Sequence, residues 1–238
     1  MQKGALLYEG KAKQLFATND PDIVYVQYKN SATAFNGEKK EEIAGKAELN
    51  NQITSILFNR LADKGIPSHF VEELSPTEQL VRKVAIIPLE VVVRNIAAGS
   101  LANRLGFDEG VKLEKPLVEF YYKDDALGDP LLTDAHIALL KLATEEEKQT
   151  IEHLALEINT HLQEIFYEIG VILVDFKLEF GRTTNGEILL ADEISPDTCR
   201  LWDKETNQKL DKDVFRRNLG NLTDGYAIIL SRLGGSSQ

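Results

Sequence analysis

Hydrophobic and polar positions divide the chain into a strand-like front and a helix-rich remainder. Residues 1–30 hold three short β-prone runs, Ala5-Leu6-Leu7-Tyr8, Gln14-Leu15-Phe16-Ala17 and Ile23 to Tyr28, broken at Gly10 and at Asn19-Asp20-Pro21-Asp22. Such runs between turn-forming residues predict an antiparallel meander. The period then lengthens: Ile53, Ile56, Leu57 and Leu61 recur at helical spacing, and Gly65 and Pro67 supply a stop. Two further strands, Gln79 to Ile86 and Leu89 to Ala97, read as flanking a turn at Ile87-Pro88, and Ser100 reads as the cap of a short helix ended by Gly106. The longest helix opens with a capping box, Thr144 and Glu147, and buries a stripe of Ile151, Leu154, Ile158, Leu162, Ile165, Phe166 and Ile169 before Gly170 closes it. A strand pair over 171–180 and 187–193 follows, then a loop rich in Pro, Asp and Thr. Helices over 211–218 and 222–233 and a frayed Gly234-Gly235-Ser236-Ser237 tail complete the pattern. Antiparallel strands segregated from helices indicate an α+β fold. A boundary near residue 86 divides it into 1–86 and 87–238.

Composition narrows the class. The 238 residues carry 27 Lys plus Arg against 38 Asp plus Glu, a net charge of −11, which argues against non-specific nucleic-acid binding. The longest apolar run, Ile169 to Val174, is far shorter than the ~20 residues a membrane helix needs. No secretory leader is visible at Met1-Gln2-Lys3-Gly4-Ala5, and the single Cys199 leaves no internal disulfide or zinc spacing. A cytoplasmic protein without membrane or nucleic-acid partners is expected.

Candidate chemistry gathers in four stretches. In Val171 to Gly181, strand alternation puts Val174, Phe176, Leu178 and Phe180 on one face and Asp175, Lys177 and Glu179 on the other. If Asn185-Gly186 is a two-residue hairpin loop, Glu179 sits directly opposite Asp192. Two facing carboxylates repel unless a cation lies between them, and Mg²⁺ takes such ligands together with phosphate oxygens. Glu179 and Asp192 are therefore a candidate metal pair, although an exposed charged hairpin fits the same pattern. In Ile86 to Ser100, Glu90 and Arg94 share a strand face that leads into Gly99-Ser100 at a helix start, a place for a phosphate or for a simple cap. Tyr8-Glu9-Gly10-Lys11-Ala12-Lys13-Gln14-Leu15 suits a loop closing over nucleotide phosphates, or a basic hairpin tip; it is not a Walker A loop. Lys83 is a further phosphate candidate or a surface lysine. Last, Ser195 to Asp203 brings Asp197, Arg200 and the only Trp into one loop after the metal strand.

Together these stretches resemble the phosphoribosylaminoimidazole-succinocarboxamide synthase (SAICAR synthetase) family. Ile87-Pro88-Leu89-Glu90 through Arg94 to Ala98-Gly99-Ser100 resembles one family signature and Val174 to Gly181 a second. Tyr8 to Lys13, Asp192 to Asp197 and Arg200 to Asp203 are similar to family segments in the same order, and Ser31 to Gly37 matches a family loop more loosely. The resemblance implies a two-part, ATP-grasp-like α+β fold with an N-terminal antiparallel sheet over a larger part. It implies an ATP-dependent ligase of purine biosynthesis that joins carboxyaminoimidazole ribonucleotide (CAIR) to L-aspartate through an acyl phosphate. ATP and Mg²⁺ are then the cofactors, and a homodimer is expected from symmetry. By the same resemblance Gly10, Lys11, Ala12, Lys13, Leu15, Lys83, Glu90, Glu179 and Asp192 serve nucleotide and metal. Arg94, Gly99, Ser100, Asp175, Lys177, Asp197 and Arg200 serve the other substrates, with Asp175 and Lys177 catalytic. Asp175 either orients the ribose or takes a proton from the amine. A small-molecule kinase and a non-catalytic nucleotide sensor are the competing functions.

Overall fold

The computed structural model describes residues 1–34 and 39–235, so Phe35, Asn36 and Gly37 of the loosely matching loop and Ser236 and Ser237 of the tail lie outside the described residues. Strands β1 (Leu6–Glu9), β2 (Lys13–Ala17) and β3 (Ile23–Tyr28) form the meander expected from the first 30 residues. A hairpin, β4 (Ser31–Ala34) with β5 (Lys39–Glu42), and helix α1 (Lys46–Ala62) follow. Strands β6 (Phe70–Ser75) and β7 (Glu78–Arg82) return to the meander, giving an antiparallel sheet in the order β1-β2-β3-β7-β6. The second half of the chain adds β8 (Ala85–Ile96), α2 (Gly99–Leu105), β9 (Lys112–Tyr122), β10 (Leu131–Leu132), α3 (Asp134–Leu140) and α4 (Glu145–Glu168). It ends with β11 (Val171–Arg182), β12 (Ile188–Ala191), β13 (Cys199–Asp203), α5 (Asp213–Arg216) and α6 (Leu222–Arg232). The second sheet runs β10-β9-β8-β11-β12, and β13 also pairs with β11.

Helix α4 matches its reading closely. Thr144 accepts from the Glu147 N–H, the Glu147 side chain answers the Thr144 N–H, and Gly170 takes a left-handed φ of 71°. Its stripe joins Leu49, Ile53, Leu57, Phe58 and Leu61 of α1, α6 residues and the inner face of the second sheet in one large core. The two sheets part between Arg82 and Ala85, so residue 86 is the second residue of β8. Because α1 belongs to the large core, the division separates sheets more than cores. Among the described residues no helix is long and apolar enough to cross a membrane.

Several expectations need correction. Ile87-Pro88 is no turn: β8 runs through it, and its pairing with β11 slips between Glu179 and Gly181. Pro88 sits in that slip, where no N–H is demanded of it, and its carbonyl accepts from Lys123 at 3.1 Å. Residues 199–203 form a strand, not part of a loop. A second irregularity, between Leu173 and Asp175 against β13, reverses the face of the chain there. Val174 consequently packs with Ile96, Ala98 and Trp202, away from Phe176, Leu178 and Phe180. Ser100 lies inside α2, whose N-cap is Ala98, although Gly106 does end that helix. Strand β9 carries little sequence signal, because Lys112-Leu113-Glu114-Lys115-Pro116 breaks the alternation before the β-prone Val118 to Tyr122.

Candidate active site

Strand β11 organises the site because Asp175, Lys177 and Glu179 alternate along the face opposite Phe176, Leu178 and Phe180. The hairpin after it has three loop residues, not two. The Gly186 N–H reaches the Thr183 carbonyl at 3.0 Å, Thr183 and Glu187 pair at 2.9 Å, and Gly186 adopts φ 83°. A turn followed by a left-handed glycine is the usual three-residue solution, and it shifts the register by one. Glu179 therefore faces Ala191, not Asp192.

The carboxylate that does face Glu179 is Glu90, across the β8–β11 ladder. Lysine supplies the cation: Lys177 Nζ donates to Glu179 Oε1 at 2.6 Å and to Glu90 Oε1 at 3.0 Å, and Lys123 donates to Glu179 at 2.8 Å. Asp192, with a left-handed φ of 60°, still joins the cluster. It pairs with Lys13 and lies 3.7 Å from Lys177 Nζ, while Lys13 also lies 3.1 Å from Glu193. Burial would raise the Asp192 carboxyl, but Lys13 and Lys177 outweigh it and hold Asp192 well below the usual range. Burial likewise opposes the charges on Lys13 and Lys177, yet the surrounding carboxylates keep both ammonium groups well above theirs. Glu179 and Asp192 thus converge on one cation position, the donor set Mg²⁺ accepts when phosphate oxygens complete its shell. Among the described residues no group of three His, Cys, Asp or Glu side chains is arranged to hold an ion alone.

Two residues back along β11 a second cluster begins. Arg94 of β8, 3% exposed, donates Nη1 to Asp175 at 2.9 Å, Nε to Glu119 at 2.6 Å, and Nη2 to Ser100 Oγ at 2.9 Å and the Tyr121 hydroxyl at 3.1 Å. Arg200 of β13 holds Asp175 from the other side at 2.9 and 3.1 Å, and its Nε bonds Asp213 at 3.1 Å. Gly99, at φ 53°, packs so closely on the Arg200 guanidinium that a Cβ there would collide with it. Burial works against both guanidinium charges, but the carboxylates around them raise both.

The remaining candidates are more scattered. Gly10 and Ala12 shape the β1–β2 turn, through a 2.8 Å bond from the Gly10 N–H to Lys13 and acceptance of the Lys29 N–H at Ala12. Half-exposed Lys11 pairs with Asp125 at 2.6 Å, across from the second sheet's loop. Leu15 packs beneath the first sheet. Lys83 lies past the end of β7, exposed, and its backbone N–H donates to the Asp22 carbonyl at 2.7 Å. Asp197 is buried elsewhere: Lys46 lies 2.6 Å from its Oδ2, and the Tyr226 hydroxyl donates to its Oδ1 at 2.5 Å. Sequence reasoning missed Lys123, Glu119 and Tyr121 because β9 was unread, and it passed over Asp211-Lys212-Asp213, whose dense charge just before a helix was the available signal.

Asp211 gives a pH prediction. Burial, with Asp213 beside it, pushes its carboxyl up to about 7, while its oxygens accept the Leu201 and Asp213 N–H groups at 2.8 and 2.7 Å. Unfolded, the group ionises near its ordinary 3.8. The folded chain therefore holds a proton that the unfolded chain releases, and stability declines as pH rises from about 4 to about 7. Asp211→Asn should flatten that decline in melting temperature; an unchanged slope contradicts the assignment.

A buried lysine–carboxylate cluster beside an arginine–carboxylate cluster near a helix start is suited to anionic substrates, as enzymes of phosphoryl or acyl transfer require. The chain belongs to the SAICAR synthetase family, whose model matches residues 6–233. It is 65% identical over 235 residues to the phosphoribosylaminoimidazole-succinocarboxamide synthase of Shouchella clausii, covering 99% of this chain and 98% of that one. The Lysinibacillus sphaericus enzyme of the same name is 66% identical, with 99% and 100% covered. Among solved structures, the Ehrlichia chaffeensis synthase superposes with a TM-score of 0.96 at 47% identity, covering 98% and 100% of the two chains. A SAICAR synthetase in complex with ADP superposes at 0.94 and 46%, covering 97% and 98%. The α+β fold is that of these synthetases.

Proposed function

We infer that the chain joins the carboxylate of CAIR to the amine of L-aspartate, with ATP converted to ADP and phosphate and SAICAR as product. The observation that carries this reading is the pair of clusters two residues apart on β11, one suited to a triphosphate and one to a second anionic substrate. The ADP held by a relative that superposes closely supports the nucleotide half. A carboxylate is a poor acyl donor. Its oxygen first attacks the γ-phosphorus, ADP leaves, and the acyl phosphate is then attacked by the amine nitrogen, which loses a proton as phosphate departs. Positioning and charge neutralisation are the protein's main contributions.

In this reading Lys11 and Lys13, with Gly10, Ala12 and Leu15 shaping their turn, cover the phosphates from the 1–86 side, with Lys83 and Glu90 nearer the rim. Glu179 and Asp192 would hold Mg²⁺, which would neutralise phosphate charge. Arg94, Gly99, Ser100 and Arg200 receive the phosphate or carboxylates of the 87–238 side, where Asp197 anchors the neighbouring loop. Lys177 stays charged and stabilises developing negative charge, while Asp175 orients the ribose or takes the amine proton. We read the enzyme as a cytoplasmic homodimer, since it consumes ATP and most soluble oligomers are symmetric.

ADP release is the test, with CAIR and aspartate each omitted in turn. Release should require CAIR, and full turnover should require both. ADP formation indifferent to both contradicts the function, and phosphate retained on an acceptor points instead to a kinase.

A further inference from the structure

Asp192 ends β12 in a left-handed conformation, φ 60°, which a residue with a side chain keeps only where its surroundings hold it. Strand β12 lies at the edge of the second sheet, with β11 on one side. Its other side is held by the 1–86 part of the chain. The Leu190 N–H donates to the Pro67 carbonyl at 3.0 Å, the His69 N–H donates to the Leu190 carbonyl at 2.8 Å, and Ser68 lies between them in parallel register with Leu190. The His69 carbonyl is fixed in turn by the Arg82 N–H at 2.6 Å. Beyond Asp192, the Ile194 carbonyl accepts from Thr54 of α1 at 3.1 Å. Backbone bonds from the first part therefore bracket Asp192 two residues to either side.

One side chain of this bracket reaches the turn itself. The His69 imidazole is buried, rests 5.7 Å from the Phe58 ring between centroids, and lies within hydrogen-bonding reach of the Asp192 backbone carbonyl. Its Nε2 is buried without a partner among the described residues, so the polar contact of the ring is the one with Asp192. Burial, helped by Lys13, pushes the imidazole down to about 4 despite Asp192, so at neutral pH the ring is uncharged and has one N–H to give. A neutral donor suits this place, because Lys13 and Lys177 already supply the positive charge around the Asp192 carboxylate.

We propose that His69 is a positioning residue for Asp192: by donating to its backbone carbonyl it holds the left-handed turn that keeps the Asp192 carboxylate beside Glu179 at the cation position. This rests on the reading of that pair as the holders of Mg²⁺. A backbone partner behind a metal ligand fixes the direction of the ligand without touching the ion. His69 is outside both clusters on β11 and joins the 1–86 part to the phosphate end of the site.

The experiment is calorimetric titration of the full chain with ATP, with and without Mg²⁺ and in the absence of CAIR and aspartate. In the wild type Mg²⁺ should tighten ATP binding. His69→Phe keeps an aromatic ring against Phe58 but has no N–H to offer. It should cut the gain from Mg²⁺ by about tenfold, the usual cost of removing a partner behind a metal ligand, while metal-free ATP binding stays within about threefold of wild type. His69→Gln, whose amide can donate in place of the ring, should recover most of the gain. The proposal is overturned if the gain in His69→Phe stays within about threefold of wild type, or if both variants lose it equally. No gain in the wild type overturns instead the assignment of Glu179 and Asp192 to the metal, so the two failures are distinct. Thermal unfolding checks both variants, and if His69→Phe does not fold, His69→Met carries the same expectation.

Discussion

Replacing Lys177 with methionine should abolish measurable turnover, lowering kcat/KM by about 10³ or more, and should destabilise the fold at the same time. The side chain keeps much of its length, but the cation that touches Glu179 at 2.6 Å, Glu90 at 3.0 Å and Asp192 at 3.7 Å is lost. Glu90 and Glu179 face each other across neighbouring strands, and like charges so placed repel. Lys123 remains on Glu179 and Lys13 on Asp192, so Glu90 is the carboxylate left without a lysine. Removing one partner from a buried ionic cluster costs about 3–5 kcal/mol, and the quarter of the Lys177 side chain that is exposed places the expected loss at about 3 kcal/mol. The catalytic loss follows from the same charge, since removal of one preorganised donor to a developing anion costs about 10²–10³ and here the phosphate-facing carboxylates lose their counter-charge as well. The ammonium is held well above its ordinary range, so it acts as a fixed charge and not as a base at neutral pH. Single-turnover kinetics and urea unfolding together check the prediction, and activity within threefold of wild type contradicts it.

What the sequence disclosed follows from how local each signal was. Helix α4 was legible from cap to closing glycine because capping box, stripe and stop all lie within 27 residues of one another. The alternation of Asp175, Lys177 and Glu179 was equally local, and the structure keeps all three on one side. The partner of Glu179 was not local. It depended on whether Asn185-Gly186 was the whole loop, and Thr184 joins that loop, moving Asp192 one place beyond the pairing. A left-handed Asp192 then returns its carboxylate to the lysines, so the intended pair gathers by a route that pairing arithmetic does not contain. Glu90, 89 residues from Glu179, becomes its true neighbour only once β8 is known to pass through Pro88. Glu119 belongs to a strand whose exposed first half hides its period, Lys123 directly follows that strand, and Asp197 pairs with a buried lysine on α1 that no motif indicated. Residue types thus marked the site, while long-range pairing and two strand irregularities decided which of them meet.

Arg94 is where the other large effect is expected, and there the two substrates of the site can be separated. Its guanidinium is shared by Asp175, Glu119, Ser100 and Tyr121, and Arg104 closes the far side of Glu119. Arg94→Ala leaves Asp175 with Arg200 and Glu119 with Arg104, so neither carboxylate is wholly abandoned, yet both lose a bidentate-capable neighbour in a buried place. A loss of about 3 kcal/mol in unfolding free energy is expected, toward the lower end for a broken buried pair. Arg94→Lys keeps the charge but offers a single ammonium where the four bonds need a planar fork, so it should recover part of the stability and little of the binding. Ser100 and the start of α2 would then receive the anion without the guanidinium that fixes their geometry, raising the KM for CAIR by about 10² while the KM for ATP stays near wild type. The two measurements pull apart by design: Arg94 touches Asp175 and not Lys13, Glu179 or Asp192. Loss of ATP affinity in the lysine variant, with CAIR binding intact, would show that the arginine cluster serves the nucleotide instead and that the roles of the two clusters along β11 are reversed.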